Sequence, residues 1–265
     1  MSDMVIVEKQ DGVAHVILNR PDALNAVNID MARALRDAMV AVAQDASVRA
    51  VLIRANGKFF TVGGDVGFFS KTVTADAAVR DSAFSGLIDD VHALIHCINT
   101  MQAPVVIAVQ GGVAGVGLGL MAACDFVLVT RGSTFSLAYT GLGASPDGGA
   151  TWFLPRLIGM RRAREMILLS ERFSGEDALA MGLVNRVVEV ADLEAEAVKL
   201  LQRLAQGPTA TYGRIKQLLA DSFQQPLEAQ LDAEKSAFLA GVGSADFAEG
   251  IAAFCEKRKP LFAGK

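Results

Sequence analysis

Pro104-Val-Val-Ile-Ala-Val-Gln-Gly-Gly-Val-Ala-Gly-Val-Gly-Leu-Gly119 reads as a buried strand that breaks into glycines and runs on into a helix. Val105–Val109 is continuously apolar, which suits a strand covered on both faces. The following segment, Gly115–Ala123, is built of small and apolar residues and is predicted as a helix. Such a junction presents free backbone N–H groups at a helix start, where the helix dipole favours negative charge. The spacing fits no dinucleotide fingerprint. Gly115-x-Gly117 meets Leu120 where a third glycine is needed, and Gly117-x-Gly119 reaches only Ala122. It fits no Gly-x-x-x-x-Gly-Lys phosphate loop either. Close packing of helix on strand is the plainer use of two or three of these glycines.

Upstream, Asn56-Gly-Lys-Phe-Phe-Thr-Val-Gly-Gly-Asp65 follows the short apolar strand Val48–Arg54. Further back, Met4–Glu8 and Ala14–Leu18 flank Gln10-Asp11-Gly12 and predict a hairpin. Ile29, Ala32, Leu35, Met39 and Val42 give Asn28–Val42 helical spacing. Downstream come a helix over Ala77–Thr100 and strands over Phe126–Val129 and Thr134–Leu137. Ser174-Gly-Glu-Asp forms a capping box before Ala178–Met181, and Val184–Val190 reads as a strand. Alternation of β and α implies parallel strands joined by crossovers, so residues 1–190 are predicted as an α/β core. Residues 191–265 read as helical, with breaks at Gly207-Pro208, Gln225-Pro226 and Gly241–Gly243.

Composition narrows the classes. The 265 residues are 52% hydrophobic and 20% charged, enough to bury a sizeable core. A net charge of −4 argues against nucleic acid and against an anionic membrane surface as partners. Cys97, Cys124 and Cys255 are widely spaced and unpaired in pattern, which points to a reducing compartment and away from a disulfide framework or zinc site. The opening segment has neither an apolar signal region nor an Arg-rich transit pattern, so a cytoplasmic location is expected. Five glycines and Gln110 interrupt Pro104–Ala123 too often for a membrane span.

In order along the chain, several segments resemble the enoyl-CoA hydratase/isomerase (crotonase) superfamily. They are Leu18-Asn-Arg-Pro-Asp-Ala-Leu-Asn-Ala26, Phe60-Thr-Val-Gly-Gly-Asp65, the Pro104–Gly119 run, Ala123-Cys-Asp125 and Gly143-Ala-Ser-Pro-Asp-Gly-Gly149. Leu154-Pro-Arg-Leu-Ile-Gly159, Ala178-Leu-Ala-Met-Gly-Leu-Val184 and Glu256-Lys-Arg-Lys-Pro-Leu-Phe262 extend the likeness to the end. The resemblance implies a ββα spiral core with a C-terminal helical subdomain used in trimer assembly, as a homotrimer or a dimer of trimers. It implies an acyl-CoA substrate, with coenzyme A as part of the thioester and no tightly bound cofactor or metal.

The resemblance also assigns residues. Backbone N–H groups of Gly64 and Val116 would hold the thioester oxygen, donors aimed where negative charge develops. The two glutamates of the hydratases fall on Gly119 and Tyr139 here, so ordinary hydration lacks its acid/base pair. Asp147, in Ser145-Pro-Asp147-Gly-Gly, falls where isomerases of the family carry a carboxylate that shuttles a proton; it could equally cap a helix starting at about Gly148. Tyr139 either donates a hydrogen bond or walls the pocket. His92, Asp147 and Tyr139 also match the histidine, aspartate and tryptophan of a dehalogenase branch, though Tyr replaces Trp. A hydratase, a dehalogenating or hydrolytic enzyme and a non-catalytic acyl-CoA binder are the alternatives. Coenzyme A contacts are expected at Ala23, Leu24, Lys58, Asp65, Lys257 and Lys259. Phe68, Phe69 and Phe84 line the acyl pocket or serve as core, and Trp152 is read as core or trimer contact. His92 and His96 share a helix face, but a metal would need a third ligand and none is placed nearby.

Overall fold

The computed structural model describes residues 4–265; the first three residues of the opening segment lie outside it. The chain opens with the hairpin β1 (Val5–Gln10) and β2 (Val13–Leu18), paired antiparallel about Asp11-Gly12. Then come α1 (Ile29–Ala43), β3 (Ala50–Ala55), α2 (Val66–Thr72), α3 (Ala77–Thr100) and β4 (Val105–Val109). A short β5 (Gly112–Ala114) leads into α4 (Val116–Ala123), then β6 (Phe126–Thr130) and β7 (Thr134–Ser136). Helices α5 (Ala150–Ile158) and α6 (Met160–Leu169) precede β8 (Phe173–Ser174), α7 (Gly175–Met181) and β9 (Arg186–Val188). Four helices end the chain: α8 (Leu193–Ala205), α9 (Thr209–Asp221), α10 (Leu227–Val242) and α11 (Ala245–Glu256).

The main sheet has the order β1-β2-β3-β4-β6-β9 and is parallel beyond the hairpin. Every residue of β4 is buried, as a central strand between two layers requires. Val16, Val51, Ile53, Ile107 and Val129 face α1, α3 and α4 in the larger core. Leu52, Val106 and Leu128 face the other way, against Ala197, Leu200, Leu201 and Leu204 of α8. The helical portion predicted from residue 191 thus begins with the helix that closes the second face of the sheet. A second sheet, β5-β7-β8, lies beside the first and is joined to the Phe60–Gly64 segment by a parallel bridge from Thr61 to Val113. Together the two sheets and their helices form the α/β spiral core.

Local signals set most boundaries. The Asn28 side chain caps α1 by accepting from Met31 N–H at 3.0 Å, and Ser174 with Asp177 makes the reciprocal capping box of α7. Two expectations shift. The strand predicted over Val184–Val190 shrinks to Arg186–Val188, because Gly182 ends α7 in the left-handed region and the N–H groups of Leu183 and Val184 turn back to Ala178 O. The helix predicted from about Gly148 starts at Ala150, and Gly149 precedes it with no side-chain cap.

Two tethers fasten the C-terminal part. Lys216 of α9 donates to Ile98 O at 3.0 Å, Ala103 O at 3.4 Å and Asp125 Oδ2 at 2.7 Å. Burial pushes the Asp125 carboxyl up, and Lys216 pulls it back. The terminal segment folds back along α11. Asp246 accepts from the N–H groups of Ala263 and Gly264, while Arg49, just before β3, donates to Gly207 O, Thr209 Oγ1 and Phe262 O. Glu249 pairs with Arg258 and accepts Leu261 N–H at 2.7 Å. Among the described residues, no single helix is long and apolar enough to cross a membrane.

Removing Lys216 alone leaves a buried carboxylate without its cation. Lys216→Met is expected to cost about 3 kcal/mol, measured by urea unfolding, with partial recovery on adding Asp125→Asn. The second tether is pH-dependent. Arg258 and the Leu261 N–H hold the Glu249 carboxyl down to about 2 from an ordinary 4.5. A depressed carboxyl contributes above its unfolded value and fades as pH falls toward its folded value. Amide exchange at Leu261, relative to its intrinsic rate, should therefore lose protection between those two pH values. Glu249→Gln should lose it at neutral pH.

Candidate active site

The Gly64 and Val116 N–H groups lie side by side because two backbones press together. Gly63 has φ +86°, and a Cβ built on it would sit 2.7 Å from Ala114 O and 3.4 Å from Gly115 Cα. No other residue type fits that approach. Backbone bonds hold the strip in register: Thr61 N–H donates to Gly112 O at 3.3 Å, and Ala114 N–H to Thr61 O at 3.1 Å.

Each donor is aimed by the carbonyl of its own peptide unit. Gly63 O accepts from Val27 N–H at 2.7 Å, so in a trans peptide the Gly64 N–H points the opposite way. Gly115 O accepts from Leu118 N–H at 3.0 Å within the first turn of α4, so the Val116 N–H points out of the helix start. Among the described residues neither N–H donates to another group. Two unpaired donors, one at the positive end of a helix dipole, form a cradle for an oxyanion.

A polar network behind Gly64 fixes that cradle. The Asn25 side chain accepts from Arg20 N–H and donates to Asn56 O and Phe59 O at 2.9 and 3.0 Å. The Asn25 backbone carbonyl accepts from the Thr61 hydroxyl at 2.7 Å, and Thr61 Oγ1 accepts from Gly63 N–H at 3.1 Å. Asn25 and Thr61 are both fully buried, so each bond replaces one otherwise made to water. Reading the sequence by motif misses both. They stand inside the quoted segments, and their mark is a short polar residue amid small and apolar neighbours.

Asp147 lies on the loop that packs, through Gly148, against Val116 at the start of α4. Its backbone carbonyl accepts from Ala150 N–H at 3.2 Å, and its carboxylate does not cap the helix. Instead Oδ1 accepts from the Tyr139 hydroxyl. Burial, and secondly the Asp147 charge, push the Tyr139 hydroxyl far above its ordinary value, so it stays protonated and donates. Tyr139 is thus a donor rather than only pocket wall. The next residue, Gly148, lies against Val116 and Val91: a Cβ on Gly148 would be 3.0 Å from Val116 Cγ2 and 3.6 Å from Val91 Cγ1. A Cβ on Gly119 would fall 2.2 Å from the Gly148 carbonyl oxygen. The side-chain space at 119 is filled by backbone of the Asp147 loop.

Phe69 closes the other side. Its ring edge would be 2.4 Å from a Cβ on Gly64, and it packs with Phe84 at 5.3 Å and Phe68 at 6.0 Å between centroids. An apolar cavity behind Val116 and Gly117 is lined by Leu35, Val91, Leu94, Ile95 and Leu120.

The remaining predicted residues scatter. His92 is exposed, one position past Val91 on α3, and makes no hydrogen bond to Asp147; His96 is exposed one turn on. Ala23 ends the short turn Pro21–Ala23, and Leu24 follows it with φ +51° and an exposed side chain. Lys58 is exposed, with Nζ 5.7 Å from the Phe59 ring centre. Asp65 has its oxygens committed to the fold: one caps α2 through Phe68 N–H at 3.0 Å, the other pairs with Arg20 at 3.1 Å. Those bonds, the Phe68 N–H above all, hold its carboxyl low. Lys257 and Lys259 are exposed on either side of Arg258, which is bound to Glu249 and Glu256. No contact brings them to Leu24 or Lys58. Trp152 packs on Phe153 and stacks under the Arg156 guanidinium at 4.0 Å.

A mostly parallel sheet wound with helices and a smaller sheet beside it, with two free N–H groups where the strands end, is the architecture of the crotonase fold. The enoyl-CoA hydratase/isomerase family model matches residues 8–265, and the chain belongs to that family of acyl-CoA-processing enzymes. It is 33% identical over the full length of both chains to the 1,2-epoxyphenylacetyl-CoA isomerase of Escherichia coli. It is 30% identical to 4-chlorobenzoyl coenzyme A dehalogenase-2 of an Arthrobacter species, over 96% of this chain and 91% of that one. The solved structure of an enoyl-CoA hydratase from a Polaromonas species superposes with a TM-score of 0.91 at 29% identity, covering 97% of this chain and 99% of that one.

Contact between Gly119 and Gly148 makes a specific demand. Gly119→Ala must push the Asp147 loop outward, and a displacement of about 1 Å is expected to lower turnover by about 10². Steady-state kinetics alongside a thermal melt checks this; unchanged turnover with an unchanged melt would show that the contact does not set the loop.

Proposed function

We propose that the chain is an acyl-CoA double-bond isomerase that converts a 3-enoyl thioester to the 2-enoyl form. The observation that carries this is the composition of the site: one carboxylate, Asp147, beside a two-donor cradle, with the space at Gly119 filled by backbone. The thioester oxygen takes the N–H groups of Gly64 and Val116. The Asp147 carboxylate removes a proton from C2, and the C–H electron pair spreads into a dienolate whose oxygen the two donors stabilise, each by about 10²–10³ in rate. The same carboxyl then returns its proton to C4, and the double bond ends between C2 and C3. One base serves both steps because the dienolate stays bound between them.

The coenzyme A portion lies outside this chemistry, along the Ala23–Leu24 turn and Lys58. Exposed apolar side chains on α9 and α10, among them Leu219, Leu231 and Phe238, support assembly into a trimer or dimer of trimers; α10 buries none of its residues within the chain.

The test is isotope exchange in D₂O with 3-enoyl-CoA and 2-enoyl-CoA, followed by mass and NMR, for the native chain and Asp147→Asn. Double-bond migration is expected, with deuterium entering C2 and C4 to the extent that the Asp147 proton exchanges with solvent between the two steps, and migration falling roughly 10²–10⁴-fold in the variant. Native-level migration in Asp147→Asn, or a product one water heavier, would sink the proposal.

A further inference from the structure

The Tyr139–Asp147 bond does more than fill a pocket, and its role rests on Asp147 being the proton carrier. We infer that Tyr139 is a positioning residue: it holds Asp147 by Oδ1 and leaves Oδ2 alone to take and return the proton.

The geometry on either side of the bond is independently fixed. On the Tyr139 side, its carbonyl accepts from the N–H groups of Leu142 and Ala144 at 2.9 and 3.1 Å, winding the short turn Thr140–Leu142. Thr140 Oγ1 donates to Ser170 Oγ at 2.7 Å, and Ser136 Oγ donates to Ser170 O at 2.9 Å, so this turn is pinned to the end of α6. On the Asp147 side, Gly148 is wedged between Gly119, Val116 and Val91. The phenol therefore joins two anchored backbones. A carboxylate held by one oxygen cannot spin about its Cβ–Cγ bond, so the same oxygen faces the substrate in both proton transfers.

Charge supports the same role. The buried phenol beside the Asp147 charge stays protonated and keeps giving its hydrogen bond. The other ionisable groups on the surrounding elements make no hydrogen bond to Asp147. On α3 the nearest are His92, exposed, and Asp90, paired with Arg36 and Arg33. Helix α4 carries none. On α5, Arg156 donates to Trp152 O and stacks on the Trp152 ring. On α6, Arg161, Arg162, Arg164 and Glu165 are exposed. Tyr139 is the one group bonded to the carboxylate among the described residues.

The experiment compares the full-length native chain, Tyr139→Phe and Asp147→Asn in the isomerase assay across pH. Tyr139→Phe keeps the ring and removes the donor. Loss of one charge-assisted bond is expected to lower kcat roughly tenfold or more, leave KM within about twofold, and move the acid limb of kcat/KM up by about one pH unit. A residue that only filled space would lower activity without moving the limb. A native acid limb and native kcat in Tyr139→Phe, with Asp147→Asn inactive, overturns this inference and leaves the isomerase reading standing. Turnover surviving in Asp147→Asn overturns both. Should Tyr139→Phe fail to fold by circular dichroism, fluorotyrosine replaces it. The chain has two tyrosines, and Tyr212 lies on α9, against the second core. A more acidic phenol should then lower the acid limb, and an unmoved limb overturns the inference.

Discussion

The site depends on the contact between the backbone of Gly63 and the Ala114–Gly115 peptide. Two segments that end different strands, after β3 and at β5, meet there without a side chain between them. That approach places one free N–H on each segment a short distance apart. Each N–H faces outward because the carbonyl of its own peptide is already held, by Val27 in one case and Leu118 in the other. The cradle needs no side chain of its own, which is why Val116 serves as well as a glycine. Donors set by the fold before substrate arrives need no reorganisation as charge develops.

Two buried polar residues brace this contact. Asn25 and Thr61 sit in the core and tie the segment that carries the donor Gly64 to the Arg20 turn and to the Gly112–Ala114 strand. Arg20 ties Ala26 O to Asp65, and Asp65 in turn starts α2, whose Phe69 lies on Gly64. Rigidity on one side of the pocket is thus built from hydrogen bonds. On the other side it comes from packing, with Gly148 seated among Gly119, Val116 and Val91. The carboxylate between them is oriented by Tyr139.

Much of this was legible in the sequence, and the reasons differ by element. The bounds of α3 and β4 follow from unbroken apolar periodicity and the Pro104 stop, and the structure keeps them at Ala77–Thr100 and Val105–Val109. The breaks at Gly207-Pro208, Gln225-Pro226 and Gly241–Gly243 separate α8 from α9, α10 and α11 because each removes either a donor or helical preference. The small sheet of β5, β7 and β8 is harder to see, since its strands are two or three residues long and β5 is part of the glycine run. Carboxylate partners were legible only as residue types. Asp65 stands in a motif and reads as a ligand contact, yet its oxygens serve a helix cap and Arg20. Tyr139 and Asp147 are eight residues apart in a loop without period, and only the tertiary path brings the phenol to the carboxyl.

The seat of Gly148 on Gly119 also shapes how such a protein can change over generations. A carboxylate at position 119 requires the Gly148 carbonyl to move first. That carbonyl belongs to the residue after Asp147, so the loop that carries the bond to Tyr139 takes part in any such shift. The two positions are therefore coupled, and a substitution on the helix is read through the loop that faces it. A side chain at 119 would be accommodated by altering the length or path of the 140–149 loop before any change on the helix became tolerable. The loop, more than the glycine-rich helix that first catches the eye, sets what the helix can carry at that point.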